Sequence, residues 1–372
     1  MIRLAAGRAA LLLLGAAGCG GGAREYPEAV FAPPPDTILT RYATVPAGAW
    51  LGGTRWVVVS QEFDEAIIAD FATRSVQVLG GKGEAEIRHP FSGFSFAETA
   101  YVADWAARRL TAWDAAGRFA EGLTAPDRLR GILPRARDAA RQWYFEVPPP
   151  PSRDGSSNQD SAAVVRATAD LARFDTIVRL SPLDLAEVED QSGRRFERRI
   201  FSGTDEWGVL REGTVWVARV YVNRVDWISS DGRTHRGPSL PDRIIEVTTT
   251  DLEHWLLQFP EELRSTAAHA QWSPIKPPFT EGLTAASGEV WLEKSRHIAD
   301  STNTYHIVDR EIGLRYVAIL PLRQGHVIAV GDTVALIAEQ YAEGVRLMQA
   351  PIPRPAAPTG GEGGEGGKGG GN

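Results

Sequence analysis

Short apolar segments of about five residues alternate with polar turns along most of the chain, a pattern that indicates β-strands joined by hairpins. Residues 101–119 show it clearly, with an apolar strand, a short reversal, a second strand and a turn at Gly117. The same order of residue types returns at 216–234 without insertion or deletion. Because one hairpin cannot bury both of its faces, such repeats must stack on one another. The pattern therefore predicts an all-β array of repeated sheets.

The spacing of the repeats predicts their number. Equivalent strand positions at Ala103, Ala218 and Ala338 are 115 and 120 residues apart, two repeats each time, so one repeat occupies just under 60 residues. Six repeats then fill residues 37–350, which predicts a six-bladed β-propeller, with five or seven blades as the alternatives. The last repeat is one strand short, and we expect the apolar segment 37–45 to close the ring there.

Two interruptions and a tail depart from the strand pattern. Residues 148–161 are rich in proline and polar residues, which predicts an exposed insertion in the third blade. Residues 250–257 place apolar side chains at helical spacing behind a threonine or aspartate cap, and a second helix is expected near Pro260. A small helical insertion between blades four and five follows. Residues 351–372 are rich in glycine and proline and are expected to be a disordered tail.

The amino terminus resembles a bacterial lipoprotein signal. Arg3 and Arg8 precede the apolar residues 9–17, and small residues lead to Cys19, the one cysteine of the chain. The resemblance implies that residues 1–18 are a signal peptide and that Cys19 carries a lipid which anchors the protein to a membrane. The alternative is an ordinary secretory signal with an incidental cysteine.

The residues after the cysteine extend this interpretation. Three glycines follow it, so we expect residues 19–36 to be a flexible tether. The first of them, Gly20, stands where an aspartate would otherwise retain a lipoprotein at the inner membrane. By resemblance this implies the outer membrane, with the protein facing the periplasm or the cell surface.

Charge and hydropathy restrict the partners. No run reaches the roughly 18 apolar residues of a membrane-spanning helix. The formal charge of −7 falls to −9 when Arg3 and Arg8 are removed with the signal peptide, which argues against nucleic-acid binding. We expect a monomer that meets the membrane only through its lipid anchor.

The second repeat and its linker are similar to the NHL-type repeat of six-bladed propellers. That repeat has a glycine-rich linker, a proline, an aromatic-valine-x-aspartate strand and an arginine-containing hairpin. The matching residues are Lys82-Gly83-Glu84, His89-Pro90, Tyr101-Val102-Ala103-Asp104, Arg109-Leu110 and Gly117-Arg118. The resemblance implies the NHL-like propeller fold of exported bacterial proteins.

The repeat register offers one candidate ligand site. Asp104, Arg219, Lys294 and Glu339 share one place, just past the apolar triplet of the second strand in their blades. Equivalent places in a propeller form a ring, so these four charges are predicted to surround one mouth of the channel and bind an anionic or zwitterionic ligand. The alternative is that each charge is paired locally, Asp104 with a nearby arginine for instance, and only fixes a hairpin.

No catalytic residue is assigned, because the chain lacks a Gly-x-Ser-x-Gly elbow and a His-Glu-x-x-His motif, and Cys19 is committed to the anchor. We therefore predict a binding or protein-interaction module of the cell envelope, whose partner is an envelope protein or a small polar ligand. The alternative is a metal-dependent hydrolase or lyase resembling the lactonases, with calcium in the channel. Oxygen ligands for calcium would come from Asp70, Asp104, Asp226, Asp309 and Glu339.

Overall fold

The computed structural model describes residues 26–42, 44–156, 161–190 and 193–356. Six four-stranded units follow one another, and the first five are each built from four consecutive antiparallel strands. The amino-terminal strands and the first three blades comprise β1 Glu28–Val30, β2 Asp36–Thr40, β3 Ala47–Gly52, β4 Arg55–Ser60, β5 Glu65–Asp70, β6 Ser75–Leu79, β7 Pro90–Phe96, β8 Thr99–Asp104, β9 Arg109–Trp113, β10 Phe119–Thr124, β11 Ala136–Arg137, β12 Trp143–Val147, β13 Ala163–Ala167 and β14 Phe174–Arg179.

The second half of the chain completes the propeller and carries its only two α-helices within the described residues. Its elements are β15 Leu185–Asp190, β16 Gly193–Arg198, β17 Glu206–Val209, β18 Val215–Arg219, β19 Arg224–Ile228, β20 Thr234–Ser239, α1 Thr249–Leu256, α2 Glu261–Ala267, β21 Phe279–Thr284, β22 Val290–Lys294, β23 Asn303–Asp309, β24 Gly313–Leu320, β25 Gly325–Val330, β26 Val334–Tyr341 and β27 Gly344–Pro351. The predicted all-β, six-bladed fold is confirmed.

The first strand of each blade lies at the central axis. These inner strands, β3, β7, β11, β17, β21 and β25, contact one another in that order, and β25 contacts β3 to complete the circle. They surround a channel. We call the end where first and second strands turn into each other the hairpin end, and the end that receives the connections between blades the linker end.

The second strands hold most of the core because both of their faces are covered by neighbouring blades. Val57, Val102 and Val217 are fully buried at the centres of β4, β8 and β18. Trp216 and Trp291 are also fully buried and fill the wider spaces between blades. Burying a side chain of this size contributes about 1.5–3 kcal/mol or more of transfer free energy, so the blade-to-blade contacts stabilise the ring.

The amino-terminal segment supplies two strands. β2 pairs antiparallel with β27, with Ile38 opposite Leu347, and so provides the fourth strand of blade six. It ends at Thr40, earlier than the segment 37–45 predicted from the sequence, although Tyr42 and Val45 beyond it are buried in the same core.

The segment 19–36, predicted as a flexible tether, contains a strand in its last third. β1 pairs parallel with β24 at the rim of blade five, where Ala29 and Phe31 are buried beside Trp291. Apolar side chains at these positions explain the pairing. The signal peptide and Cys19 lie outside the described residues.

Blade three and its connection to blade four differ most from the expectation. The structure places β13 after the predicted insertion, so the insertion separates the second and third strands of the blade. Residues 157–160 of that insertion lie outside the described residues. A hairpin of β15 and β16, not predicted, follows blade three and forms its own two-stranded sheet.

The helical insertion between blades four and five is confirmed. Thr248 caps α1: its hydroxyl accepts a hydrogen bond from the Asp251 backbone N–H, and the Asp251 carboxylate accepts from the Thr248 N–H. Pro260 precedes the first turn of α2, as expected for a residue without an N–H to donate. Among the described residues no helix is long and apolar enough to cross a membrane.

The predicted tail 351–372 begins too early, since Pro351 ends β27, Ile352 is buried in the core and Arg354 contacts Glu289 at 3.0 Å. Residues 357–372 lie outside the described residues.

Candidate functional site

The four charges of the predicted ring lie at the linker end but do not share one space. Three of them are paired with the first residue of an inner strand: Asp104 with Pro90, Lys294 with Phe279 and Glu339 with Gly325. Arg219 and Lys294 line two separate cavities, and none of the four lines the cavity on the axis.

Asp104 is fully buried and used by the backbone. Its carboxylate accepts hydrogen bonds from the N–H groups of Arg88 (2.6 Å), His89 (3.3 Å) and Ala107 (2.9 Å). These bonds join the linker from blade one to the turn after β8. Asp104 therefore fixes the chain locally, with backbone amides rather than an arginine as its partners.

The other three charges have carboxylate or guanidinium partners. Arg219 contacts Asp205 at 2.8 Å and Asp226 at 3.2 Å, and both carboxylates are buried. Lys294 contacts Asp242 at 3.0 Å, and Glu339 contacts Arg346 at 3.1 Å across β26 and β27. Such pairs match the local alternative, and these side chains are not brought together around a ligand.

A cavity lies on the axis instead, at the hairpin end. It has a volume of about 670 Å³ and is lined by residues from all six inner strands and their hairpin turns. Glycines in four of these strands allow close approach: a Cβ built on Gly208 would lie 2.5 Å from the Thr284 hydroxyl oxygen of the next blade. This volume falls within the range of small-molecule sites.

The lining of the axial cavity is both aromatic and charged. Its aromatic and charged members are Trp50, Phe94, Phe96, Glu98, Arg135, Arg137, Trp207, Arg211, Glu212, Trp216 and Asp332. Cations and carboxylates are present in equal number. A ligand with polar groups of either sign therefore has possible partners here.

Arg137 is the most constrained of these charges. Its side chain is only 7% exposed, and its guanidinium lies 4.2 Å from the centre of the Trp143 ring. One terminal nitrogen donates to the Tyr101 hydroxyl at 2.6 Å, whereas Nε is buried without a partner in the described part of the chain. The nearest carboxylate, Glu121, is 3.7 Å away and largely exposed. A buried cation with an unused donor is costly, and an anionic ligand group would satisfy it.

Arg135, by contrast, is already neutralised. It contacts the Glu146 carboxylate and lies 5.2 Å from the centre of the Trp207 ring. The indole N–H of Trp207 donates to the same carboxylate at 2.8 Å. Arg135 and Trp207 both line the cavity, so this part of its wall carries a compensated cation, unlike the part that holds Arg137.

Three glutamates, on β17, β21 and β22, lie close to one another in blades four and five. Glu281 is directly opposite Glu293 across β21 and β22, and Glu206 takes the matching place on β17, with its Cβ against Gly282. Burial, reinforced by Glu293 and Glu206, raises the pKa of Glu281 to about 8. Burial raises the pKa of Glu206 and of Glu293 to about 7, with Arg135 and Arg296 respectively opposing the rise. These carboxyl groups hold protons near neutral pH.

The positions of Glu206 and Glu281 in the repeat can be read from the sequence. Glu206, Glu281 and His326 stand 13 residues before Arg219, Lys294 and Glu339 respectively. The repeat that aligned the second strands thus also aligns the inner strands. Apart from β25, whose residues 327–330 the sequence marked as a strand, the inner strands were not recognised because most contain glycine and few β-branched residues.

A calcium site is not supported by the described residues. No three His, Cys, Asp or Glu side chains in the described ranges converge in a way that could hold a metal ion. Of the oxygen ligands predicted for calcium, Asp104 is bonded to backbone amides and Asp226 to two arginines. The residues do not fit the metal.

Comparisons with known proteins show the fold alone. No family model and no curated protein matches the sequence. A crystal structure of a member of the DUF4221 family from Bacteroides vulgatus covers 90% of this chain and 98% of its own, with a TM-score of 0.51 at 8% identity. Virginiamycin B lyase from Staphylococcus aureus covers 85% of this chain and 97% of its own, with a TM-score of 0.44 at 8% identity. A gluconolactonase from Xanthomonas campestris covers 88% of this chain and 99% of its own, with a TM-score of 0.44 at 12% identity. The chain is similar to these six-bladed propellers in architecture.

Proposed function

We propose that the protein is a binding module of the bacterial cell envelope that holds a small polar ligand with an anionic group in its axial cavity. The proposal rests on the environment of the Arg137 side chain. Its guanidinium is buried in the cavity wall, is positioned by Trp143 and Tyr101, and retains a donor without a partner among the described residues. This is the arrangement of a preformed recognition group.

The rest of the lining supports the same class of ligand. Trp50 and Phe94 offer flat apolar surface, and Glu98, Glu212 and Asp332 are available to amine or hydroxyl groups. Ligand sites are usually apolar cavities with a few placed polar groups that select the orientation. An amino acid or a sugar acid has this combination of groups.

The cellular address is part of the proposal and rests on the sequence. Lipid on Cys19 would hold the propeller at a membrane, most simply the outer membrane, with the folded domain in the periplasm or at the cell surface. Mass spectrometry of the mature amino terminus tests this directly. An acylated cysteine is expected, and an unmodified Cys19 in released protein would exclude the anchor.

The ligand proposal is tested with defined probes. Thermal-shift and calorimetric titrations would use L-glutamate, succinate and gluconate at constant ionic strength. Binding of at least one probe is expected in the wild type and should be lost or weakened at least tenfold in Arg137→Gln, since a charge-assisted bond is worth about 1.5–3 kcal/mol. Arg118→Gln, an exposed arginine in a turn, is the matched control. Equal binding by wild type and Arg137→Gln would contradict the proposal.

A second function, an acid–base hydrolase or lyase, is favoured by the three neighbouring glutamates Glu206, Glu281 and Glu293. Glu281 and Glu293 face each other and have pKa values of about 8 and 7, so one carboxyl group can donate a proton while another accepts one. Turnover of a lactone substrate that is abolished by Glu281→Gln, with the fold intact, would favour the enzyme. Binding of a probe without turnover favours the module.

A further inference from the structure

A second, smaller cavity lies at the linker end, between the start of blade five and the loop that leads into blade four. We call it the basic pocket; it has a volume of about 320 Å³. The end of β16, residues 201–204, residues 276–280 and residues 293–296 form its walls. It is separate from the axial cavity, with which it shares no lining residue.

Positive charge dominates the lining of the basic pocket. Four cations, Arg198, Lys276, Lys294 and Arg296, stand against one carboxylate, Glu293. These cations come from three separate segments of the chain, so their convergence is a product of the fold. Like charges that line one cavity repel one another unless carboxylates or a bound anion compensate them.

The two lysines have carboxylate partners outside the lining. Lys276 Nζ contacts Asp251 at 2.6 Å, and Lys294 Nζ contacts Asp242 at 3.0 Å. Each lysine side chain is only 12% exposed. The two pairs fix the lysines in the wall and leave the arginines to determine the excess charge.

The two arginines are held by neutral oxygen atoms. Arg198 donates to the Ser202 carbonyl at 2.8 Å, and Arg296 donates to the carbonyls of Asp300 at 2.8 Å and Arg323 at 2.7 Å. Neither guanidinium has a carboxylate within 4.0 Å in the part of the chain that the structure describes. Both are therefore oriented by neutral groups and form no ion pair in the described part of the chain, although Glu293 in the same lining partly offsets the charge of Arg296.

A hydroxyl group in the lining provides an independent observation. Ser295 Oγ is buried and has no hydrogen-bond partner among the described residues. It lies in the segment that also carries Lys294 and Arg296. A buried donor of this kind costs about 1–3 kcal/mol when it stays unsatisfied, so a bound acceptor oxygen would stabilise the wall.

We infer that the basic pocket binds a small oxyanion of the phosphate class, either free or as the phosphate group of a small molecule. A tetrahedral group presents oxygen atoms in several directions, and the pocket offers donors from two walls, Arg198 on one and Ser295 with Arg296 on the other. Arginine is well suited to such groups because its planar guanidinium donates two parallel hydrogen bonds. This site is additional to the axial one and does not depend on it.

Titration calorimetry of the full mature chain with inorganic phosphate tests the inference, with sodium chloride matching the ionic strength. Saturable binding at one site is expected, and Arg296→Gln and Arg198→Gln should each weaken it at least about tenfold. A parallel titration with glycerol 3-phosphate separates free phosphate from a phosphate ester as the preferred form. Arg233→Gln removes the same charge from an 85% exposed side chain and is the control.

Several outcomes decide between acceptance and rejection. The inference is overturned if neither probe shows saturable binding, or if Arg296→Gln and Arg198→Gln both bind as tightly as the wild type. If Arg296→Gln fails to fold, Arg198→Gln and Ser295→Ala provide the same comparison. The variant Arg137→Gln in the axial cavity should bind phosphate like the wild type, which distinguishes failure of this site from failure of the proposed function.

Discussion

Replacing Arg219 by alanine should destabilise the propeller strongly, because its guanidinium is not a solvated surface charge but the partner of two buried carboxylates. In the structure this side chain is 19% exposed and bridges Asp205, which is fully buried, and Asp226, which is 6% exposed. Its removal leaves two buried carboxylates with fewer donors. Breaking a buried pair in this way typically costs about 3–5 kcal/mol.

The remaining partners place the expected value near the lower end of that range. Asp205 keeps the backbone N–H groups of Ser181 (2.7 Å) and Val220 (2.9 Å), and Asp226 keeps Arg224 at 2.8 Å. We therefore expect a loss of about 3 kcal/mol. With an unfolding entropy of about 2.1 cal/mol/K per residue over about 320 ordered residues, this corresponds to a decrease in Tm of roughly 4–5 °C.

Urea denaturation followed by tryptophan fluorescence measures the change, and the two-state assumption is checked with circular dichroism. Arg233→Ala is the matched control, with a Tm expected within about 1 °C of the wild type. A double-mutant cycle with Asp226→Ala should give a coupling energy above about 1 kcal/mol. If Arg219→Ala unfolds at the wild-type midpoint, the buried-pair reasoning is refuted.

Three further outcomes are expected. The pKa of Glu281 is raised to about 8 in the folded state, so its contribution to stability is complete below its ordinary pKa of 4.5 and is lost as pH rises from about 4.5 to 8. Glu281→Gln should therefore show a smaller decrease in urea midpoint between pH 5.5 and 8.5 than the wild type. Equal decreases would contradict this. Ile38→Ala, on the buried face of β2, should lower the free energy of unfolding by about 2–4 kcal/mol, whereas Leu39→Ala, at a residue that is 62% exposed, should be nearly neutral. Equal losses would mean that β2 does not close the ring as described. Gly282→Ala places a Cβ 2.8 Å from the Trp216 ring and should lower the free energy of unfolding, measured by calorimetry, by about 1–3 kcal/mol. The control Gly122→Ala, whose nearest contact would be 3.4 Å, should leave it unchanged. A neutral Gly282→Ala would show that the inner strands have room to move.

Most of the fold could be predicted because its signals are local. Apolar triplets such as Trp216-Val217-Ala218 mark the second strands, and their separation gives the number of blades. Helix caps are equally local, so the insertion after β20 was recognised. Strands without this local chemistry were missed: β13 follows a polar insertion, and β1 lies in a stretch whose glycines and prolines favoured a tether.

The candidate site was only partly predictable. Register aligned Asp104, Arg219, Lys294 and Glu339 correctly along their strands, yet register does not determine what each side chain meets. Three of them have charged partners from other strands or linkers, and Asp104 is used by backbone amides 15 and 16 residues earlier in the chain. Charged side chains at equivalent positions of the repeat therefore have different neighbours.

By itself, the sequence determined the strand and turn pattern, the repeat length, the helical insertion and the acidic character of the chain, because each depends on residues close together along the backbone. Only the tertiary structure decided which side chains share a space. Arg137 became a candidate ligand group because a ring of six blades placed Trp143 and Tyr101 around it, and the basic pocket arose because distant segments brought Arg198 and Arg296 together. Desolvation and charge proximity depend on the complete set of surrounding atoms, and that set exists only once the ring has closed.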